Sequence, residues 1–261
     1  MVRMLSGLAP AKINLFLRVV GRRPDGFHQL DSVFLPISIH DRIAIEIRPS
    51  RAGSITLKCD RAGLPLDERN LAVRAARAFM NEFGVAAEAS IGIHKEIPVG
   101  AGLGGGSSDA GAVLRMMAAL YRIEAVERLF KLALALGADV PFFIDPRPAR
   151  IGGIGERIAP LGPLPRLDLV LAVPPFEVLT AEIFRALARQ RWSGPASDAE
   201  LDAIASGAIS PAMLVNDLAP VAIARYPEIG RLKTILLEAG ARGAAMTGSG
   251  GAVFGIFGGP E

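Results

Sequence analysis

The sequence predicts an α+β protein of two domains. Three observations lead there. The opening alternates apolar and polar residues at strand period with hairpin-length connections. A glycine-rich loop then sits between a strand and a helix near residue 100. After Pro146, prolines and glycines crowd a short interval, and a second set of strands and helices follows. With 261 residues, about half of them hydrophobic, the chain is long enough for two modest domains. The boundary is drawn at 1–150 and 151–261.

Each element has a local reason. From Ala11 to Val20, residues Ile13, Leu15, Leu17 and Val19 alternate with Lys12, Asn14 and Phe16, which gives a two-faced strand. Pro24-Asp25-Gly26 makes the next stretch a turn. Strand pattern returns over Leu30–Ile39, in Ile43, Ile45 and Ile47, and over Ser54–Lys58. Asn70 caps a helix whose Leu71, Ala75, Phe79 and Phe83 share one face and which Gly84 ends. Ile91 and Ile93 mark a strand that leads to Pro98. Helices are expected from about Ser108 to Tyr121 and from Val126 to Leu136. The second domain is expected to hold a strand at Leu167–Val173 and helices at Thr180–Arg189, Asn216–Arg225 and Glu228–Glu238. A loose stretch rich in Ser, Gly and Ala lies among them. A strand–glycine loop–strand unit, 243–257, closes it.

Composition excludes several classes. Charged residues make up 21%, the range of a globular chain. The net charge of +3 is mild, no Lys/Arg block stands out and aromatics are few, so no nucleic-acid partner is expected. Cys59 is the single cysteine, which points to a reducing compartment and a cytoplasmic location. Met1–Pro10 has no signal-peptide pattern, and no apolar run reaches membrane-spanning length, so no membrane partner is expected. His28, His40 and His94 are scattered, and no protein metal site is expected. Oligomeric state is not legible.

The strongest chemical signal is Pro98-Val-Gly-Ala-Gly-Leu-Gly-Gly-Gly-Ser-Ser-Asp109, with five glycines in seven positions. Glycines are costly to order, and here they let backbone amides surround a group with several anionic oxygens. The following helix adds its positive end. The loop is therefore assigned to phosphate: Pro98, Gly100, Ala101, Gly102, Leu103, Gly104, Gly105, Gly106, Ser107 and Ser108. A dinucleotide fold would want this pattern after the first strand, and a Walker loop would follow it with Lys-Ser/Thr; neither holds. The lysine strand and His-Arg-Asp loop of protein kinases are absent as well.

Pro-x3-Gly-Leu-Gly with paired serines resembles the phosphate loop of the galactokinase, homoserine kinase, mevalonate kinase and phosphomevalonate kinase superfamily. Gly102–Asp109 is similar to the form found in its 4-diphosphocytidyl-2-C-methyl-D-erythritol kinase branch, and Pro10–His28 resembles that branch's substrate-binding opening. Met246–Phe254 is similar to the superfamily's third glycine motif, and Gly137–Phe143 to the segment with the catalytic aspartate. The resemblance implies a nucleotide-binding first domain and a ferredoxin-like second. It implies ATP, accompanied by Mg2+, as phosphoryl donor to a small substrate carrying a cytidine diphosphate group. It makes Asp139 and Lys12 catalytic. Asn14, Phe27, His28, Phe176 and Thr247 become substrate-binding, with Phe27 and Phe176 on the two faces of the cytosine. The branch usually has tyrosine where this chain has Phe27, so a ring remains and a hydroxyl is lost. Locally, Asp139 also reads as the N-cap of a short helix entered through Pro141. Two alternatives are a homoserine- or mevalonate-type kinase and a non-catalytic nucleotide sensor on the same fold.

Overall fold

The computed structural model describes residues 2–50, 53–187 and 192–258. The chain forms two compact units, each assembled from three segments. The first comprises Met1–Ala11, Ile37–Ile97 and Gly104–Pro146; the second comprises Lys12–Pro36, Pro98–Leu103 and Arg147–Glu261. Strands β1 (Arg3–Arg22) and β2 (His28–Pro49) contribute residues to both.

In the first unit, Arg42–Pro49 of β2 pairs antiparallel with β4 (Ala87–His94), and β3 (Ile55–Cys59) runs parallel to β4. The alternation read from sequence places Ile43, Ile45 and Ile47 in the core, each almost fully buried. They meet Phe79 and Met80 of α1 (Leu71–Phe83) and Val113, Leu114 and Met117 of α2 (Gly105–Tyr121), with α3 (Val126–Leu136) completing the layer. Asn70 caps α1 by accepting from the Ala72 amide, and Gly84 ends it in the left-handed region, as the sequence predicts. Helix α2 starts at Gly105, three residues before the expected Ser108, because Gly104 takes the left-handed conformation at its cap.

A 3-10 helix, Val140–Ile144, packs its buried Phe142 and Phe143 under α2. Gly111 allows the approach: a β-carbon there would lie 2.5 Å from Phe143 Cβ and 2.9 Å from its carbonyl oxygen. Gly111→Val is expected to lower stability by about 1–3 kcal/mol or more through overpacking. Because the strained segment carries Asp139, which the sequence resemblance implies is catalytic, activity should fall further than stability alone requires; denaturant unfolding and a rate assay on the folded fraction check this.

In the second unit, Leu30–Phe34 of β2 pairs with β5 (Ala149–Gly153), and β5 with β6 (Arg157–Pro160), all antiparallel. These two strands lie in the interval where the sequence suggested only a boundary: proline and glycine frequency hid four- and five-residue pairings. A second, antiparallel sheet has the order β7–β9–β8, from Asp168–Ala172, Val253–Phe257 and Gly243–Met246. Its core gathers Ile229 and Leu236 of α7 (Pro227–Glu238), Ala222 of α6 (Ala219–Arg225) and Ile183 of α4 (Thr180–Ala186). The predicted Thr180–Arg189 helix is thus shorter, and its positions 188 and 189 lie outside the described residues. The loose stretch contains α5 (Asp198–Ala205), started by a complete Ser197/Glu200 capping box. Asp31 clamps this region, bonding Arg150 in two places at 2.8 and 2.9 Å and accepting from the Ala196 amide. No helix among the described residues is long and apolar enough to cross a membrane.

Candidate active site

The second unit brings the opening strand, the first glycine loop and the last glycine loop together. Ala101 and Leu103 bury their side chains, and the glycines between and beside them turn the backbone. Gly100, Gly102 and Gly104 all have φ between 70° and 78°, a region open mainly to glycine. The Lys12 amide donates to Leu103 O at 3.0 Å, and the Ala252 amide to Ala101 O at 3.1 Å. A β-carbon on Gly102 would lie 2.7 Å from Thr247 O and 2.9 Å from Gly250 O. The space that a side chain would take at Gly102 is therefore filled by the chain's own backbone. The two glycine motifs are one backbone-to-backbone assembly.

Lys12 is buried. Its Nζ donates to Asn14 Oδ1 at 2.7 Å and lies 4.4 Å from the centre of the Phe34 ring. The Asn14 amide donates to Thr247 Oγ1 at 2.8 Å, and that hydroxyl donates back to Asn14 Oδ1 at 3.3 Å. Asn14 Nδ2 donates to Ser32 Oγ at 3.0 Å, and Ser32 to Phe16 O. Thr247 has no exposed surface and Asn14 very little. These two side chains, assigned by resemblance to substrate, form the polar bed that aims the Lys12 ammonium. Asn216 holds the last loop from behind, donating to Met246 O at 2.8 Å and Gly248 O at 2.9 Å. Ser32 and Asn216 escaped the sequence reading because each acts on a residue far away along the chain.

The expected base-binding residues are placed separately. Phe27 is 59% exposed on the turn, and its amide donates to Asp25 Oδ1. The His28 ring lies 5.4 Å from Phe184 and 5.8 Å from Trp192, and burial with Arg22 nearby lowers its pKa below the ordinary value, which favours the neutral imidazole. Phe176 stacks on Tyr226 at 5.2 Å and 19°. Phe184, Trp192 and Tyr226 are aromatic neighbours that sequence reasoning missed; the lone tryptophan was the signal available.

In the first unit, Asp139 precedes the 3-10 helix at φ −85° and ψ −17° and is partly exposed. Its side chain makes no capping bond, so the expected N-cap role is not observed: the residue is already helical, and a cap needs extended backbone. At the start of α2, Ser108 is fully buried and donates to Pro10 O at 2.7 Å, whereas Ser107 is partly exposed. Among the described residues no group of three His, Cys, Asp or Glu side chains is placed to hold a metal. A Mg2+ ion that keeps its waters and arrives on phosphate oxygens needs only one or two protein oxygens, and the Ser107 hydroxyl suits that use.

One turn into α2, burial first and the Asp41 charge second push the Asp109 carboxyl up to about 7, against the opposing pull of Lys95. A raised carboxyl favours the folded state most below its unfolded value near 3.8, and that contribution fades as pH climbs through about 7. The wild-type melting temperature should therefore fall relative to Asp109→Asn between about pH 5 and about pH 8; parallel curves across that range would show no such proton.

Two family models match the chain: GHMP kinases N terminal domain over residues 70–145 and GHMP kinases C terminal over residues 199–261. Along nearly its whole length the chain is similar to a 4-diphosphocytidyl-2-C-methyl-D-erythritol kinase of Pelotomaculum thermopropionicum, at 45% identity over 97% of this chain and 89% of that one. The chain belongs to the 4-diphosphocytidyl-2-C-methyl-D-erythritol kinase family of GHMP kinases. A relative of the same description from Anaeromyxobacter dehalogenans is 43% identical over 96% of this chain and 80% of its own. The crystal structure of a 4-(cytidine 5'-diphospho)-2C-methyl-D-erythritol kinase superimposes with a TM-score of 0.86 at 39% identity, covering 98% of this chain and 91% of the other. A homoserine kinase from Cytophaga hutchinsonii has a TM-score of 0.73 at 17% identity, over 97% and 84% of the two chains, which is a likeness of fold. The two-domain α+β kinase architecture expected from sequence is thus the observed one, and the chain is an ATP-dependent small-molecule kinase.

Proposed function

We infer that this kinase transfers the γ-phosphoryl group of ATP to the 2-hydroxyl of 4-diphosphocytidyl-2-C-methyl-D-erythritol, a step of the non-mevalonate route to isoprenoid precursors. Near-full-length identity of 45% with a kinase described by that substrate carries the reading. The buried Lys12–Asn14–Thr247 network against two interlocked glycine loops supports it, since a lysine is seldom buried without a specific partner or task. Residues 1–150 supply the phosphate loop with Lys12 and Asp139, and residues 151–261 supply Phe176 and Thr247.

Phosphoryl transfer asks the protein for positioning and charge stabilisation. The amides of Gly100–Ser108 hold the triphosphate. Asp139 orients the attacking hydroxyl and accepts its proton, and Lys12 offsets the charge that develops as the phosphoryl group moves. Asn14 and Thr247 fix the direction of Lys12. His28, neutral at physiological pH, reads the edge of the cytosine, with Phe27 and Phe176 on its faces. Mg2+ accompanying ATP would screen the phosphate charge, and the Ser107 hydroxyl is the protein oxygen that would help to hold it. The kinase acts in the cytoplasm on this small substrate, without a nucleic-acid or membrane partner.

A homoserine- or mevalonate-type activity is not favoured, because a homoserine kinase and two mevalonate kinases of like fold share only 15–17% identity with the chain. A silent nucleotide sensor would have no use for Lys12 and Asp139. ADP release measured across cytidylylated methylerythritol, homoserine and mevalonate tests the choice: turnover is expected with the first alone, and turnover of either of the others refutes it.

A further inference from the structure

Asp41, Lys95 and Asp109 form a cluster inside the first unit that the proposed mechanism does not use. Asp41, on β2, has no exposed surface, and the side chains of Lys95 and Asp109 are more than nine-tenths buried. Asp41 Oδ1 accepts from the Glu96 and Ile97 amides at 2.7 and 2.9 Å. Its Oδ2 accepts from Lys95 Nζ at 2.5 Å, and the same ammonium donates to Asp109 Oδ2 at 2.9 Å. The path runs from the backbone just before Pro98, through two side chains, to the second turn of α2. These are the two flanks of the glycine loop. Helix α2 starts directly on the cluster: a β-carbon on Gly105 would lie 3.1 Å from Ile97 Cγ2 and 3.4 Å from Lys95 Nζ.

The arrangement is a poor way to gain stability. Two carboxylates share one ammonium, Asp109 Oδ1 has no hydrogen-bond partner, and burial penalises every charge. Apolar side chains would join helix to sheet at lower cost. What the ionic path provides and an apolar contact does not is a fixed distance and direction, set by directional bonds at both ends. With five glycines in seven positions the loop has few side chains of its own to set its span, so contacts at its ends carry more of that work.

We propose that Asp41, Lys95 and Asp109 are positioning residues for ATP: they fix the two flanks of the glycine loop so that its amides are already spaced for phosphate. This rests on the reading of the loop as the triphosphate site. Asp109→Leu severs the tie to α2 and leaves the Asp41–Lys95 pair intact. Asp109→Asn keeps an acceptor for Lys95. Calorimetry with a non-hydrolysable ATP analogue and steady-state kinetics are compared for the two variants and the wild type. Asp109→Leu should weaken analogue binding and raise KM for ATP by between about tenfold and a hundredfold, the scale of an ångström misplacement. Its kcat and its KM for the acceptor substrate should change by less than about threefold, and Asp109→Asn should recover ATP affinity. A merely structural role would lower the melting temperature and the active fraction while leaving the analogue's affinity unchanged, and that result overturns the proposal. If Asp109→Leu does not fold, Asp109→Ala takes its place; if neither folds, the cluster serves stability and the proposal falls. A wild type that fails to bind the analogue would instead overturn the ATP reading itself.

Discussion

Lys12→Met and Asp139→Asn should each lower kcat by on the order of a hundredfold or more, the loss expected when a positioned proton acceptor or charge stabiliser is removed. Methionine keeps much of the volume of Lys12 and removes its charge. Asparagine keeps the shape of Asp139 and removes its basicity. In the proposed mechanism both side chains serve one event, the departure of the hydroxyl proton as the phosphoryl group arrives. Groups that act as a unit lose their effects together, so the double variant should be scarcely worse than the worse single one. ATP affinity, which the proposed mechanism assigns to the glycine loop, should survive in all three. A double-mutant cycle on kcat, with calorimetric ATP binding as control, checks this; fully additive losses would mean that the two residues act independently. The Lys12 variant has a second signature. Asn14 Oδ1 loses the donor at 2.7 Å, so a modest loss of stability, about 1–3 kcal/mol, should accompany the loss of rate.

Gly102→Val should damage ATP binding more than any other single change in the first glycine loop. The site has φ +78°, which strains a β-branched residue, and its β-carbon would enter the Thr247 and Gly250 carbonyls. Those neighbours are backbone and cannot rotate away. The loop must separate from the final glycine motif, and the bond from Ala252 to Ala101 should be lost with it. KM for ATP is expected to rise by about a hundredfold, the scale of an ångström displacement, with a fall in melting temperature. An unchanged KM would mean that the loop's packing on 247–252 has no part in nucleotide binding. Had the glycine served only to admit ATP, the free enzyme would keep its melting temperature; the observed contact predicts that it does not.

The sequence reading succeeded where the signal is short-range. Asn70 and Gly84 bracket α1 because a cap needs one side chain and one left-handed residue, both local. The Gly243–Phe257 hairpin was legible from two apolar runs around glycines. The interval after Pro146 misled, since β5 and β6 are short and their partners are set by pairing with β2 and with each other. Helix α5 carried its own Ser197/Glu200 signature, which the surrounding Ser, Gly and Ala obscured. At the candidate site the motifs were visible as motifs, and the side chains that support them were not. The bond from Asn14 to Thr247 spans 233 positions, and no local pattern reports it. Asp41 is invisible for the same reason: it looks like an ordinary strand-edge carboxylate until Lys95, Glu96 and Ile97 fold onto it.

The sharpest test of the proposed substrate is how far turnover depends on the cytidine group. ADP release is followed with 4-diphosphocytidyl-2-C-methyl-D-erythritol and with methylerythritol phosphate lacking the base. Base–aromatic stacking contributes about 1–3 kcal/mol per ring, so two rings and an edge reader should separate the substrates by at least on the order of a hundredfold in kcat/KM. Only the cytidylylated compound should be phosphorylated at a useful rate. Comparable turnover of the two would contradict it.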